Sequence, residues 1–592
     1  MTGRRRDAPH PNPLPPGEGT IPAAVLTLLL AWLVCYPLLL TFREALGAPG
    51  WSLRFFAEFF RRPDEWQALW ASLWISLATV TLSAAIGIPL AFLFERADFP
   101  GRRALGTLIA LPVVLPPLVG VVAFLFLYGE SGFFARAVQS FSGSKEPPWR
   151  LSGPGAILFV HAYSMYVYFY LFTRAGLARL DAAYLEAAAA LGARPGRVLR
   201  RVTLPLLAPA LAGGALLTFM TSLSSFSAPY LFGGTFRVMT TQIVFSRLNG
   251  DNEMAMVETT TLAALALFGL FLLQRAEKRR EVAGAIRGMP PSRRRLRRRT
   301  LVAALAWLLA AVLLLPHATL LLVSFVPPGT WTIEVWPPVL DFSNWGSVLS
   351  QTERLRPIVN SLWMAVVSTA GALLLGFFAA WLAVTRRTRF RGALETLVAV
   401  PWALPGTVFA VALAATFSRH VPWAGRFVLV GTAAILPLGY LVRNLPLTGR
   451  AAFAGLRQLD PSLDEAGASL GAGPWRRLVR ITVPLLAPAL LAGASLAFLT
   501  ALGDFVVSIV LYTFETRPIS IEILSSLRMT ETGVAAAYGV LLALLSAVVF
   551  LAWGARSTDD PTVSAGGRSA TGAERVQHES QFRDPSSPPV GG

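Results

Sequence analysis

Cysteine and lysine are almost missing from this chain of 592 residues. There is one cysteine, Cys35, and there are two lysines, Lys145 and Lys278. A single cysteine excludes a disulfide within the chain and any multi-cysteine metal site. Set inside the first apolar run, it reads as a small apolar side chain. Neither lysine follows a glycine, so the phosphate-cradling GxxxxGK[ST] loop is absent. His161, His317 and His420 have no carboxylate or histidine partner at i, i+4, and no metal site is expected. Charge is scarce too: 14% of residues are charged, against roughly 25% in soluble domains. The chain is 54% hydrophobic with a mean hydropathy of +0.56. Such values place it in the integral membrane class.

The charge that is present is lopsided. A formal net charge of +19 would suit a nucleic-acid binder. The arginines, however, sit in short clusters between apolar runs, such as Arg386, Arg387, Arg389 and Arg391. Cytoplasmic loops of membrane proteins collect such clusters. The partner they imply is a lipid bilayer, not a nucleic acid.

About twenty apolar residues cross a bilayer as a helix. Runs that qualify lie near 21–43, 69–94, 104–128, 153–174, 205–230 and 257–274, and again near 301–325, 359–385, 393–416, 424–447, 484–511 and 534–554. Continuous runs without period-2 alternation mean helices, not a barrel. The expected fold is an all-α membrane protein with twelve transmembrane helices as two parallel six-helix repeats. The expected domains are 21–274 and 300–555, joined by a basic linker at 275–299. Disordered tails are expected at 1–20 and 556–592. The linker reads RAEKRREVAGAIRGMPPSRRRLRRR, and by its charge it belongs in the cytoplasm. Six helices on either side then put both termini there. The first external loop runs against the rule with Arg54, Arg61 and Arg62, offset in part by Glu58, Asp64 and Glu65.

One passage occurs twice. Aligning 186–219 with 465–498 gives 22 identities in 34 positions without a gap. Six helices separate the copies, so the halves have the same orientation and a pseudo-twofold axis along the membrane normal. Asp181 and Asp460 suit N-caps of a short helix, with Pro461 at its first position. Gly192 and Gly471 suit its left-handed stop. A basic stretch follows, with Arg197, Arg200 and Arg201 matched by Arg476, Arg477 and Arg480. Pro205 and Pro484 then open a membrane helix. A single such elbow could simply lie at the lipid headgroups. Two with the same spacing point to a shared docking function.

At these residues the chain resembles a family. Glu186, Ala187, Ala188, Gly192, Leu204 and Pro205, and again Glu465, Ala466, Gly467, Gly471, Val483 and Pro484, look like the EAA loop of permease subunits of binding-protein-dependent ABC importers. The second copy departs at Gly467, where the family prefers Ala, and at Val483. The resemblance covers roughly 60–275 and 350–555. It implies a multi-pass protein of the cell (inner) membrane in the type I importer fold, whose two EAA loops dock into a cytoplasmic ABC ATPase dimer. ATP and Mg would be bound by that partner, and no cofactor is implied for this chain. A solute-binding protein would deliver the cargo from outside. A fused permease of this length is most similar to the ferric-iron and thiamine importers. The stretch SAPYLFGG…TTQI favours iron(III), with thiamine, polyamine, phosphonate or anion cargo as alternatives.

The helices after the loops differ in chemistry. FMTSLSSFSAPY (219–230) aligns with FLTALGDFVVSI (498–509), so Ser225 opposes Asp504. An acid within a span is costly and marks a functional candidate. Asp504 with Ser222, Ser224 and Ser225 forms the expected translocation path. The alternatives are that Asp504 is hydrated or pairs with an arginine such as Arg517, and that the serines are packing residues. RVMTTQIVFSRL (237–248) resembles RPISIEILSSLR (517–528) with one gap and matches Gln242 to Glu522. That outer segment is read as part of a surface for the binding protein, or as a scaffold helix. The competing function is an ion-coupled secondary transporter, which would need more intramembrane acids than Asp504.

Overall fold

The computed structural model describes residues 20–47, 50–110, 112, 116–278, 294–295, 299–331, 334–386, 388–420 and 427–558. Nearly all of the tails expected at 1–20 and 556–592, and most of the 275–299 linker, lie outside the described residues. The architecture is helical. A two-residue parallel pairing of Ala97–Asp98 with Arg294–Arg295 is the one sheet among the described residues.

Ten helices among the described residues are long and apolar enough to cross a membrane. Arg391–Ala403 and Gly406–Phe417 meet at 108° and make an eleventh if taken as one bent span. The twelfth, expected at 424–447, differs. The helix there is Ile435–Gln458, and Arg443, Asn444 and Arg450 dilute its apolar run. The run expected at 104–128 is also divided, into Arg102–Ala110 and Pro117–Tyr128. Prolines stand at 112, 116 and 117, where they remove donors and clash with preceding carbonyls. The second half bends at the matching place, around Pro401 and Pro405.

Each half is built on a triad of packed helices. In the first half Pro63–Arg96 runs along Gly153–Ala178, and Leu204–Leu223 packs on both. In the second, Thr352–Val384, Ile435–Gln458 and Val483–Leu502 repeat the arrangement. Close approach comes from a stripe of small residues on one helix face. Ser72, Ser76, Thr79, Ser83 and Gly87 form it in the first half, and Ser361, Ala365, Ser368, Ala372 and Gly376 in the second; all are buried. The final glycine is required in each. A Cβ on Gly87 would lie 2.4 Å from the Tyr166 carbonyl oxygen, and one on Gly376 would lie 2.8 Å from the Gly449 nitrogen.

The halves exchange their opening helices. The helical segment Thr20–Ala45 packs against Gly406–Phe417 of the second half, and Arg299–Val323 packs against Pro117–Tyr128 of the first. Of the three arginines that run against the charge rule, Arg62 is neutralised locally. Arg62 forms ion pairs with Glu58 and with Asp251, the latter at 2.8 Å.

Candidate functional site

The two repeated elements have nearly the same backbone. Asp181 accepts a hydrogen bond from the Ala183 N–H at 3.0 Å and caps the helix Ala182–Ala190. Asp460 accepts one from the Ser462 N–H at 2.9 Å and caps Pro461–Ser469. Hydrogen bonds from Ser462 hold the Asp460 carboxyl below the usual carboxylate range. Both helices stop in a Schellman turn. In the first, Gly192 at φ +73° donates to the Ala189 carbonyl and Ala193 to that of Ala188. In the second, Gly471 at φ +76° donates to Ala468 and Ala472 to Gly467. The residue before each glycine, Leu191 or Leu470, is 88% exposed. A large apolar side chain is thus held out at the same turn in both elements.

Beyond each turn lies a short arm and then a wide helical turn with i→i+5 bonding, Leu199–Thr203 and Leu478–Thr482. Leu204–Leu223 and Val483–Leu502 follow directly, with Pro205 and Pro484 in their first turns. The wide turn accommodates a proline that would otherwise clash with the carbonyl one turn back. From Pro195 and Pro474 onward each arm therefore runs without a loop into a membrane helix, while the short helix is set off from it by the glycine turn.

The elements differ in how they are held. Asp464 forms an ion pair with Arg477 at 3.1 Å, while the matching residues of the first element, Leu185 and Val198, are apolar. Gly467 is buried, and a Cβ there would lie 2.7 Å from Ile481 Cδ1. Its counterpart, Ala188, belongs to a helix with no buried residue. Glu186 and Glu465 are both exposed on the short helices, as are Ala187 and Ala466.

Three of the four residues expected on a translocation path lie on a cavity of about 390 Å³ between the halves. The continuous runs expected at 205–230 and 484–511 are each broken there, at Ser224–Phe226 and Gly503–Phe505. Short helices, Ser227–Phe232 and Val506–Leu511, resume beyond the breaks. Apolarity alone gives no sign of this. Phe226 and Phe505 occupy equivalent positions and touch each other, with ring centroids 5.5 Å apart, so the pseudo-axis passes between them. Ser224, Ser225 and Asp504 line the cavity. Ser222 is buried and reaches it only through His161.

Each wall carries a polar cluster. On the first, His161 Nδ1 lies 3.2 Å from both Thr79 Oγ1 and Ser222 Oγ, and Nε2 lies 2.9 Å from Ser225 Oγ. On the second, Arg443 donates to Asp504 Oδ2 at 2.5 Å, and the Val507 N–H donates to Oδ1 at 2.7 Å. Asp504 thus pairs with Arg443, not Arg517; Arg517 pairs with Glu522 at 2.8 Å. Each break is pinned by a matching bond. Thr240 Oγ1 donates to the Ser225 carbonyl and Ser520 Oγ to that of Asp504, both at 2.7 Å. His161, His317 and Arg443 are site residues that sequence reasoning misses. The alignment that pairs Ser225 with Asp504 also pairs Ser164 with Arg443 and His161 with Tyr440, a signal that could have found two of them.

The Gln242 and Glu522 side chains are buried in Met239–Leu248 and Ile519–Arg528, so these two residues point away from any outer surface of their segments. Gln242 donates to Glu65 Oε1 at 3.2 Å, and burial raises the Glu522 carboxyl while Arg517 and Arg354 oppose that rise. Among the described residues no group of three His, Cys, Asp or Glu could hold a metal ion.

Comparison with known proteins agrees with this duplicated plan. The model of the family described as binding-protein-dependent transport system inner membrane component matches twice, at 85–282 and 372–555. A probable ABC transporter permease protein of Sinorhizobium fredii is 32% identical over 540 residues, covering 89% of this chain and 94% of the relative. The ferric transport system permease protein of Actinobacillus pleuropneumoniae is 26% identical over 502 residues, 82% of this chain and 70% of the relative. The molybdenum transport system permease protein of Escherichia coli is 36% identical over 171 residues, 28% of this chain and 72% of the relative.

Proposed function

This chain belongs to the family of binding-protein-dependent transport system inner membrane components and is a fused permease of an ABC importer, and we propose that its two repeated elements dock one ATPase subunit each. The observation that carries this reading is the doubled geometry. A capped short helix, a left-handed glycine and an exposed leucine sit at the head of a membrane helix in each half. The docking residues on this reading are Glu186, Ala187, Ala188, Gly192, Leu204 and Pro205, with Glu465, Ala466, Gly467, Gly471, Val483 and Pro484. Both elements and both termini then face the cytoplasm, and a binding protein delivers cargo to the opposite face. The separate ATPase subunits hold ATP and Mg. Closing them draws the two short helices together, and the rods that follow open the cavity around Ser225 and Asp504 outward.

We infer iron(III) as the cargo. The support is the likeness to a ferric permease along most of the chain; the molybdenum relative, matched over a shorter segment, makes molybdenum the second candidate. Affinity capture of the chain should retain a cytoplasmic ABC ATPase, and substitution of Gly192 and Gly471 together should abolish retention. Transport by the purified chain under an ion gradient, with no ATPase present, would contradict this reading. Uptake of radioactive iron by cells carrying the complete transporter tests the cargo.

A further inference from the structure

The cavity between the halves carries two full charges on its wall, Arg443 and Asp504. They are not equally available. Both carboxylate oxygens of Asp504 are occupied, Oδ2 by Arg443 and Oδ1 by the Val507 N–H, and its side chain is 2% exposed. The Arg443 side chain is 28% exposed and lines the cavity. A guanidinium has five N–H donors, and the one bond to Asp504 leaves others for a ligand. The group is also held from behind. A Cβ on Gly406 would lie 2.6 Å from Arg443 Nη1, so the guanidinium packs on bare backbone. The remaining polar wall includes the hydroxyls of Thr221 and Ser224 and the imidazole of His317. No other carboxylate among the described residues lines the space. The cavity volume is about 390 Å³. Small-molecule pockets span roughly 300–1,000 Å³, so the space far exceeds what a bare metal ion fills.

We propose that Arg443 recognises anionic oxygen in this cavity and that Asp504 positions Arg443 instead of meeting the cargo. The cargo then crosses as an oxyanion, or as a metal clothed in oxyanion ligands. This rests on the reading of the chain as a permease whose cargo passes between the halves, and it is independent of whether that cargo is iron. A metal cation stripped of its ligands would meet a guanidinium here, which repels it.

The test is equilibrium dialysis of the full chain in lipid nanodiscs against radioactive molybdate and against iron(III) citrate, each up to millimolar concentration. Wild type should bind at least one of the two. Arg443→Gln should weaken that binding by about tenfold or more, as expected for a lost hydrogen bond to a charged group. Arg443→Lys should recover part of it. Asp504→Asn should retain binding, since the guanidinium stays. Arg443→Gln alone leaves Asp504 buried and unpaired, which is destabilising; the double variant Arg443→Gln with Asp504→Asn removes that charge and should show the same weakened binding. Binding of neither probe by wild type, or unchanged binding by the double variant, overturns the proposal. So does loss of binding in Asp504→Asn with retention in Arg443→Gln, which would make the acid the ligand. Failure of iron uptake by cells with the wild-type transporter would remove the iron reading and leave this result standing.

Discussion

In the element at 460–484 the short helix is tied to the arm that follows it, by the Asp464–Arg477 ion pair and by Gly467 lying against Ile481. In the element at 181–205 the same positions hold Leu185, Val198 and Ala188, and Leu185 packs instead against the apolar cluster of Leu177, Leu180 and Leu207. The caps, glycine turns and wide turns are shared. Duplication thus kept what shapes each element and let what stiffens it diverge. The same pattern holds at the cavity, where both breaks are pinned by an equivalent hydroxyl bond from the helix beyond, Thr240 or Ser520, while the side chains they carry, Ser225 and Asp504, differ. Backbone geometry is what these halves share, and side-chain chemistry is where they specialise.

The largest break in this comparison is expected from a bulky residue at the glycine contact. Gly467→Val forces Ile481 and Arg477 away. Overpacking of this kind costs about 1–3 kcal/mol. Hydrogen exchange over 461–470 should rise, whereas Ala188→Val should leave exchange over 182–190 nearly unchanged, given no buried residue in that helix. Next in size are Gly192→Val and Gly471→Val, since both glycines lie in the left-handed region. An L side chain there should cost about 1–2 kcal/mol at each position. The two losses should be equal, since neither glycine has a neighbour within 4 Å of its absent Cβ; a large inequality would show that the turns are not equivalent.

Loss of a cap comes third. Asp181→Ala and Asp460→Ala remove the acceptors of the Ala183 and Ser462 N–H groups. Both should fray the first turn of their helices, read as faster exchange at those amides. Acid sharpens this for the second copy. The Asp460 carboxyl is held below its usual range, so its contribution is present at neutral pH and is lost as pH falls through that lowered value. The smallest effect is that of the brace between Asp464 and Arg477. Asp464→Asn should loosen the second element by about 0.2–1 kcal/mol, the usual worth of a partly exposed pair.

The features legible in the sequence are those that repeat or that follow from local chemistry. Asp181, Gly192, Asp460 and Gly471 can be placed as caps and stops because capping needs only a particular residue at a particular spacing. The two-repeat helical plan follows from apolar run length and the duplicated passage. The breaks at Ser225 and Asp504 are hidden, because residues around them are apolar enough to continue a span and the bonds that pin them come from Thr240 and Ser520 on other elements. Arg443 is hidden for the converse reason. It sits in a run that reads as an ordinary span, and only tertiary packing brings it to Asp504, 61 residues away. The surroundings of Gln242 and Glu522 also depend on neighbours from elsewhere, Glu65 for the first and Arg354 for the second.

Site-directed cross-linking from the two exposed leucines tests the docking claim most directly. With Cys35 replaced by serine the chain is free of cysteine, and Leu191→Cys and Leu470→Cys each introduce a single thiol at equivalent, equally exposed turns. In membranes holding the assembled transporter, each variant should give an adduct with one ATPase subunit, and the variant carrying both should give an adduct with two. Absence of an ATPase adduct from both positions, or labelling of either thiol by a membrane-impermeant reagent applied from the outer face, would contradict it.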